Sequence, residues 1–324
     1  MSIGVILHVD NPTLEDAARI AAAAEEAGAS WVGLPDAFWW RDTWMLALDA
    51  ARATRHIRVG PVVTNPFMRH PFHTIAATAT LHESSHGRAL LGIGAGGSEI
   101  TDAADVSRRR AGAAIRALVT DLRSAGRGAP LHGPSGRHLS VPLAPPASTS
   151  GTAPTVIVAG RGPGVLGAAG AVADAALLWA LPARELPGAV STVRAAANGR
   201  PAPPEIIWAP LVDHTGDARD QTAYAVVNSS PESHRAWGLD AHDVAQIRRV
   251  AVGEGNRAAS RLVPEHVADE FVLAGSDPVT AGAIIARIGA AGVAVRADSA
   301  HAVTARVAWA RRALEAAASS EPAH

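Results

Sequence analysis

Apolar and polar positions along the chain alternate in blocks rather than residue by residue. Short apolar runs are each followed by a longer stretch with helical period, which predicts strand then helix, repeated. Ile3 to Val9 is the first run, and Thr13, after Pro12, is placed to N-cap a helix from Leu14 to Ala27 that Gly28 closes. Trp31-Val32-Gly33-Leu34 stops at Pro35-Asp36, and Thr43 to Arg52 reads as helix. Ile57 to Val63 is β-branched and reads as a buried strand, Pro71 to His86 as a helix ended by Gly87, and Arg88 to Ile93 as a strand running into Gly94-Ala95-Gly96-Gly97. Ala104 to Ser124 reads as one long helix.

The beat pauses over Gly126 to Pro154, which is rich in Gly, Pro and Ser and has a possible hairpin around Gly133-Pro134-Ser135-Gly136. It then resumes: strands at Thr155 to Val158, Ala175 to Trp179 and Ile206 to Val212, with helices at Pro163 to Val172 and Ala183 to Ala197. Residues 217–274 hold several broken helical segments and read as a second insertion. Asp277-Pro278 opens a helix to Ala290, Gly292 to Arg296 is the last strand, and Ala302 to Ala318 the last helix. Strands that are apolar without alternation are buried on both faces, as parallel strands are. Eight such strand–helix units predict an α/β fold of the (β/α)8 TIM-barrel type; an open doubly wound sheet is the alternative. The length of 324 residues would suit two domains at about 150 each, but the continuing beat favours a single barrel domain over 1–324 with insertions at about 126–154 and 217–274. In a barrel, chemistry sits on the loops after the strands. Those loops run through His8 to Asp10, Pro35 to Trp44, Val62 to His70, Gly94 to Ile100, Gly160 to Gly164, Trp179 to Leu181, Asp213-His214 and Arg296 to Ser299.

Composition then removes whole classes of chemistry. The 29 basic residues are all Arg, so Schiff-base lysines and the P-loop lysine are excluded. There is no Cys, hence no disulfide, thiolate nucleophile or cysteine-held metal or cluster. A net charge of −1 gives no general footprint for nucleic acid. The N-terminus lacks the basic region of a signal peptide, and Arg161 and Asp174 interrupt the most apolar stretch before it reaches the ~18 residues of a membrane span. The expectation is a cytoplasmic protein without membrane or nucleic-acid partners.

Several motifs tempt. His82-Glu83-Ser84-Ser85-His86 matches H-E-x-x-H, but Gly87 follows at once, so His86 falls at a frayed helix end; a polar helix end is the better reading, and no metal is expected. Gly92 to Gly97 and Gly162 to Gly167 each match G-x-G-x-x-G, but neither has an acidic partner about 20 residues on, as a dinucleotide fold needs. The glycines still allow backbone amides to approach an anion at a helix start. Arg108-Arg109-Arg110 reads as a solvated run or as contacts to an anionic tail. Trp39, Trp40 and Trp44 either wall a flat apolar ligand or pack their loop onto the rim.

Val59 to Pro71, with Gly60-Pro61-Val62-Val63-Thr64-Asn65-Pro66 within it, together with Thr80 to Gly96, closely resembles the bacterial luciferase-like superfamily, and within it the coenzyme F420-dependent branch typified by methylenetetrahydromethanopterin reductase. Asp36, Ala159 to Pro163, Ala173-Asp174-Ala175 and Ala274 to Pro278 support the match, so it spans nearly the whole chain.

The resemblance implies a TIM barrel holding a deazaflavin or flavin at the strand C-termini, and the homodimer that is the family habit. It implies a bulge with a non-prolyl cis peptide behind the ring at Val62-Val63, and ring-edge contacts from Thr64 and Asn65. Gly94-Ala95-Gly96 and Gly160-Arg161-Gly162 match turns near the ribityl and phosphate portion, with Arg161 the first choice for an anion contact. Asp36 matches an acidic residue beside the cofactor. The sequence departs from the family where relatives often carry Gly (here Val62), His (here Ala37) and an acid (here Gly97, with Glu99 two positions on). By predicted position, His8, Asp36, Glu99 and His214 are the candidate proton donors. The activity implied is hydride transfer between F420 and a C=C or C=N group of a small organic substrate. Alternatives are an FMN-dependent luciferase-like monooxygenase and a non-catalytic deazaflavin-binding barrel.

Overall fold

The computed structural model describes residues 1–320 except 10, 134–151, 215 and 217, and except the side chain of Glu99. Eight strands form the barrel: β1 (Ser2–Leu7), β2 (Trp31–Leu34), β3 (Arg58–Pro61), β4 (Leu90–Ile93), β5 (Thr155–Ala159), β6 (Ala175–Trp179), β7 (Glu205–Ala209) and β10 (Gly292–Ala297). Their order is β3-β2-β1-β10-β7-β6-β5-β4, with parallel pairing throughout. The two end strands meet through parallel bridges at Val59–Ala89 and Thr64–Ile93, which closes the sheet and removes the open doubly wound alternative. Ile6, Trp31, Leu90, Ile157, Leu177, Ile207 and Ala294 fill the interior. Val5, Leu7, Val32, Leu91, Val156, Leu178 and Val293 face the surrounding helices, so both strand faces are buried and the runs carry no polar alternation.

The helices of the ring are α1 (Leu14–Glu26), α2 (Thr43–Arg52), α3 (Pro71–Ser84), α4 (Ser98–Ala103), α5 (Ala111–Gly126), α6 (Pro163–Val172) and α7 (Leu186–Ala196), then α13 (Pro278–Ile288) and α14 (Ala300–Ser319) after the second insertion. Thr13 caps α1 in a reciprocal capping box with Asp16. The long helix expected over 104–124 is instead a turn at 104–110 followed by α5. Asp105 and Arg110 take left-handed backbone at φ 53° and 59°, which no helix interior accepts. Arg108, first of the Arg run, turns back to donate to the Gly96 carbonyl at 3.1 Å.

The run expected over 206–212 is also divided. Pro210 has no N–H to give to a ladder, so β7 ends at Ala209. The chain restarts as β8 (Leu211–Asp213), which pairs in parallel with β9 (Val272–Ala274) in a separate two-stranded sheet. Between them lie α8 (Thr222–Val227), α9 (Pro231–Ala236), α10 (Ala241–Glu254), α11 (Asn256–Ser260) and α12 (Glu265–Ala268). These pack around a second apolar cluster that includes Val226, Trp237, Ile247, Val263 and Phe271. The hairpin expected around 133–136 lies outside the described residues. No described helix is long and apolar enough to cross a membrane.

At the far end from the strand C-termini, Glu25 closes the α1–β3 corner. Its carboxylate accepts the N–H groups of Arg55, His56 and Ile57 at 2.9, 2.6 and 2.8 Å. Burial alone would raise this carboxyl, but those three donors outweigh it and hold it below 4.5. The stabilisation is therefore present above the ordinary value and fades as pH falls through the lowered one. Glu25→Gln is expected to cost about 1 kcal/mol at neutral pH, with the difference from wild type vanishing in acid. Urea unfolding curves at a series of pH values check both statements.

Candidate functional site

The strand C-termini converge on one mouth, and β3 shapes its floor. After Pro61 the chain passes through a cis peptide between Val62 and Val63. Val62 N–H donates to the Leu34 carbonyl at 2.8 Å and Thr64 N–H to the Gly92 carbonyl at 3.0 Å, so the bulge is fastened to β2 on one side and β4 on the other. Val62 stands where relatives often carry Gly, and the neighbours make room for it. A Cβ at position 33 would lie 2.5 Å from the Val62 side chain, and one at position 92 would lie 2.8 Å from it, so both positions are Gly. Val62 is thereby turned into the barrel interior, and is 5% exposed.

Thr64 and Asn65, expected at a ring edge, are both buried. Asn65 Oδ1 accepts from the N–H groups of Phe67 and Met68, each at 3.0 Å, so its carbonyl is committed to shaping its own loop. The Thr64 hydroxyl lies beside the Asp36 carboxyl, just past the end of β2. Burial pushes the Asp36 carboxyl above its usual range; Thr64 and the Arg69 charge pull it back in part, while Asp42 adds to the rise. Arg69 is itself paired with Asp42 at 2.5 Å. Asp36, Thr64 and the bulge are thus brought together, with Gly94 tied in by its N–H to the Thr64 carbonyl at 2.9 Å. Ala95 and Gly96 continue that turn into α4, where Glu99 lies in the first helical turn.

Gly160-Arg161-Gly162 forms the turn from β5 into α6. Gly162 is the N-cap of α6 and supplies no side-chain cap. A Cβ on Gly162 or Gly164 would meet nothing within 4 Å. The helix start is therefore an open cradle of backbone donors, a fit for a phosphate group. Arg161 does not reach outward as expected. Its Nη1 donates to the Ala225 carbonyl at 2.7 Å, and its Nη2 to the Ala180 carbonyl at 2.5 Å and Ser229 Oγ at 3.3 Å. Only its Nε is buried with no partner among the described residues. Burial pushes its pKa down to about 10, which leaves it cationic at neutral pH.

Two of the other expected donors stand beside Arg296. His8 stands at the end of β1 with Nε2 3.2 Å from Arg296 Nη1. His214 lies past β8, edge-on to Trp309 of α14 at 5.9 Å between ring centroids, apart from the Asp36–Thr64 pair. The Trp-rich loop does not form one wall. Trp44 is buried in α2, whereas Trp39 stacks edge-on with Phe38 and faces solvent. In the H-E-x-x-H stretch, α3 ends at Ser84, His82 Nε2 lies 3.0 Å from the Thr152 carbonyl, and His86 has φ 53°, so the one-turn spacing zinc needs is not formed. Arg296 is the residue the sequence reading passed over. Its signal was there: a charged residue two positions after an inward Ala294 in a strand otherwise fit for burial.

Comparisons with known proteins bear on this site. The family model described as Luciferase-like monooxygenase matches residues 1–316. A curated protein of Methanolobus tindarius named 5,10-methylenetetrahydromethanopterin reductase is 27% identical over 290 residues, covering 85% of this chain and 87% of its own. Among solved structures, coenzyme F420-dependent tetrahydromethanopterin reductase from Methanopyrus kandleri superposes with TM-score 0.76 at 20% identity, over 94% of this chain and 97% of its own. The oxygenating constituent of 3,6-diketocamphane monooxygenase of Pseudomonas putida, in complex with FMN, superposes with TM-score 0.65 at 16% identity, over 96% and 98%.

Proposed function

The chain belongs to the luciferase-like monooxygenase family, and from that premise we propose that it is an F420-dependent oxidoreductase acting on a C=C or C=N group of a small organic substrate. The observation that carries this reading is the Asp36 carboxyl, desolvated and beside Thr64 at the Val62-Val63 bulge. Burial that favours the protonated form of a carboxyl suits it to give a proton at the mouth, where a hydride acceptor needs one. The curated relative's name supports reductase chemistry, and coenzyme F420 stands in the name of the superposed Methanopyrus kandleri reductase.

Bound reduced F420 supplies the hydride. Each part of the chain then has a task. Val62 and Val63 form an apolar floor, and Thr64 orients the Asp36 carboxyl. The open start of α6 at Gly162 takes the cofactor's phosphate, with Arg161 Nε beside that turn. Asp36 gives its proton to the atom that becomes negative as hydride arrives, and is recharged from solvent. The barrel carries this site as one domain, and the segment between β8 and β9 is an insertion that shapes the substrate side.

The start of α6 would take the phosphate of FMN as well, which keeps the monooxygenase reading as the second one. Dissociation constants for F420 and FMN, measured side by side on the purified protein, separate the two. F420 is expected to bind more tightly; tight FMN binding with none of F420 overturns the proposal. If F420 binds but its reduced form is oxidised by no enone or imine acceptor in a single turnover, the non-catalytic barrel takes its place. Gly162→Val tests the cradle. The added side chain has open space and an ordinary φ of −85°, so the melting temperature is expected to hold. Cofactor affinity is expected to fall about tenfold, as lost anion contacts of roughly 1.4 kcal/mol imply.

A further inference from the structure

The insertion between β8 and β9 is tied to both glycine-rich turns of the mouth, and at the same place. From the first turn, Ser98 Oγ donates to Oδ1 of Asn228, the C-cap of α8, at 3.2 Å. From the second, Arg161 donates to the Ala225 carbonyl of α8 and to Ser229 Oγ just beyond it. The third bond of Arg161 goes to the Ala180 carbonyl at the end of β6. Ala180 belongs to the seam between the two parts. It is buried, its side chain packs in the apolar cluster of the insertion, and its backbone is left-handed at φ 45°. An alanine keeps that backbone only where its surroundings hold it.

Arg161 brings a charge to that seam. Its guanidinium is desolvated yet cationic, and its three bonds all go to neutral oxygens, two carbonyls and a hydroxyl. Tyr224 and Glu185 favour its charge without bonding it, and the Glu185 carboxylate accepts from Ser233 Oγ at 2.7 Å. Its Nε is buried with no partner among the described residues. The start of α6 beside it is open, with no side-chain cap at Gly162. That start is fixed on the barrel side: a Cβ at position 112 would lie 2.1 Å from the Gly164 carbonyl, so α5 lies directly against it. An anion at this start gains most from Arg161 while the clasp on α8 is made. Clasped, the guanidinium is out of water and its field is weakly screened; released, it is hydrated and its attraction falls severalfold. A ligand that prefers one of two states shifts the balance towards that state.

We propose that Arg161 is a positioning residue that links the two sites: a phosphate group at the start of α6 tightens its hold on α8, and so sets the insertion against the barrel once the cofactor is in place. In putting a phosphate there the proposal rests on the function proposed above. The linkage goes beyond that function and is measured with no substrate and no turnover.

The test is residue-resolved hydrogen exchange of the full-length protein with and without inorganic phosphate, with chloride matching the ionic strength. Binding itself is followed by the amide resonances of Gly162 and Gly164. In wild type, phosphate is expected to slow exchange of the α8 amides by about fivefold or more, the lower end of coupling between sites. The amides of β1 and β10 are the reference for any general salt effect. Gly162→Val is expected to lose the slowing. Arg161→Met is expected to lose it too, and to bind phosphate more weakly by at least the same factor. Arg161→Lys, which keeps a cationic donor, is expected to restore part of the response; it also serves if the Met variant does not fold. Phosphate bound by wild type with no slowing at α8 overturns the linkage and leaves the proposed function standing. Slowing that survives in Gly162→Val or is undiminished in the Arg161 variants overturns it as well, as does a wild type that binds no phosphate at α6. Tight binding of FMN with none of F420 overturns the proposed function and leaves the linkage, because both cofactors carry a phosphate group.

Discussion

Asp36→Asn is expected to lower turnover of reduced F420 by about 10²–10⁴-fold, the range lost when a positioned general acid is removed. The amide keeps the shape of the side chain and a partner for the Thr64 hydroxyl, but it has no proton to give. In the wild type, turnover is expected to fall as pH rises through the raised value of Asp36, because the protonated carboxyl is the donor. The Asn variant is expected to lose that limb of the profile. Stability is expected to move the other way. Between the ordinary value of 3.8 and the raised one, the folded state holds a proton that the unfolded chain has released. Raising pH through that interval therefore disfavours the folded state, and a neutral amide carries no such penalty. The variant is expected to melt no lower than wild type at neutral pH. An Asn variant with wild-type turnover would remove Asp36 from the mechanism.

Arg161→Met is expected to destabilise the protein by about 2–4 kcal/mol, the cost of leaving two poorly solvated carbonyls without donors. Met replaces the apolar stem but none of the donors. The carbonyls of Ala180 and Ala225 then lose their bonds in a place that water reaches poorly. Ala180 closes β6 and Ala225 lies in α8, so this side chain fastens the second insertion to the barrel wall. The loss is expected to be local first, with the amides of α8 exchanging faster while those of β1 and β10 keep their protection. Urea midpoints and residue-resolved hydrogen exchange measure the two parts. A change under about 0.5 kcal/mol, as is usual for surface substitutions, would mean that Arg161 is not the fastener.

The β/α beat was legible because a strand buried on both faces leaves an apolar run with no alternation, and a ring helix leaves a capped amphipathic stretch. Two boundaries were not. The break at Pro210 follows from proline's missing N–H, yet the apolar run on both sides hid it. The turn at 104–110 depends on left-handed Asp105 and Arg110, which nothing in the local pattern announces. At the site, Val62 to Asn65 was legible through the motif that carries the family resemblance. Arg161 was found, but its bond to the Ala225 carbonyl was not, because that carbonyl lies 64 residues away on the insertion. His8 and Arg296 are 288 residues apart, and only the closure of the barrel makes them neighbours. Pattern and propensity report on local structure, whereas such a pairing is a property of topology.

The short sheet of β8 and β9 has a consequence of another kind. Leu211–Asp213 and Val272–Ala274 run side by side, so the chain leaves and rejoins the barrel at one seam. Everything between them is a cassette with its own apolar cluster, attached by a narrow isthmus and by the Arg161 clasp. Such a segment can be exchanged, shortened or enlarged over generations without altering the register of any barrel strand. The segment proposed to shape the substrate side is thereby free to diversify while the barrel proposed to hold the cofactor stands still.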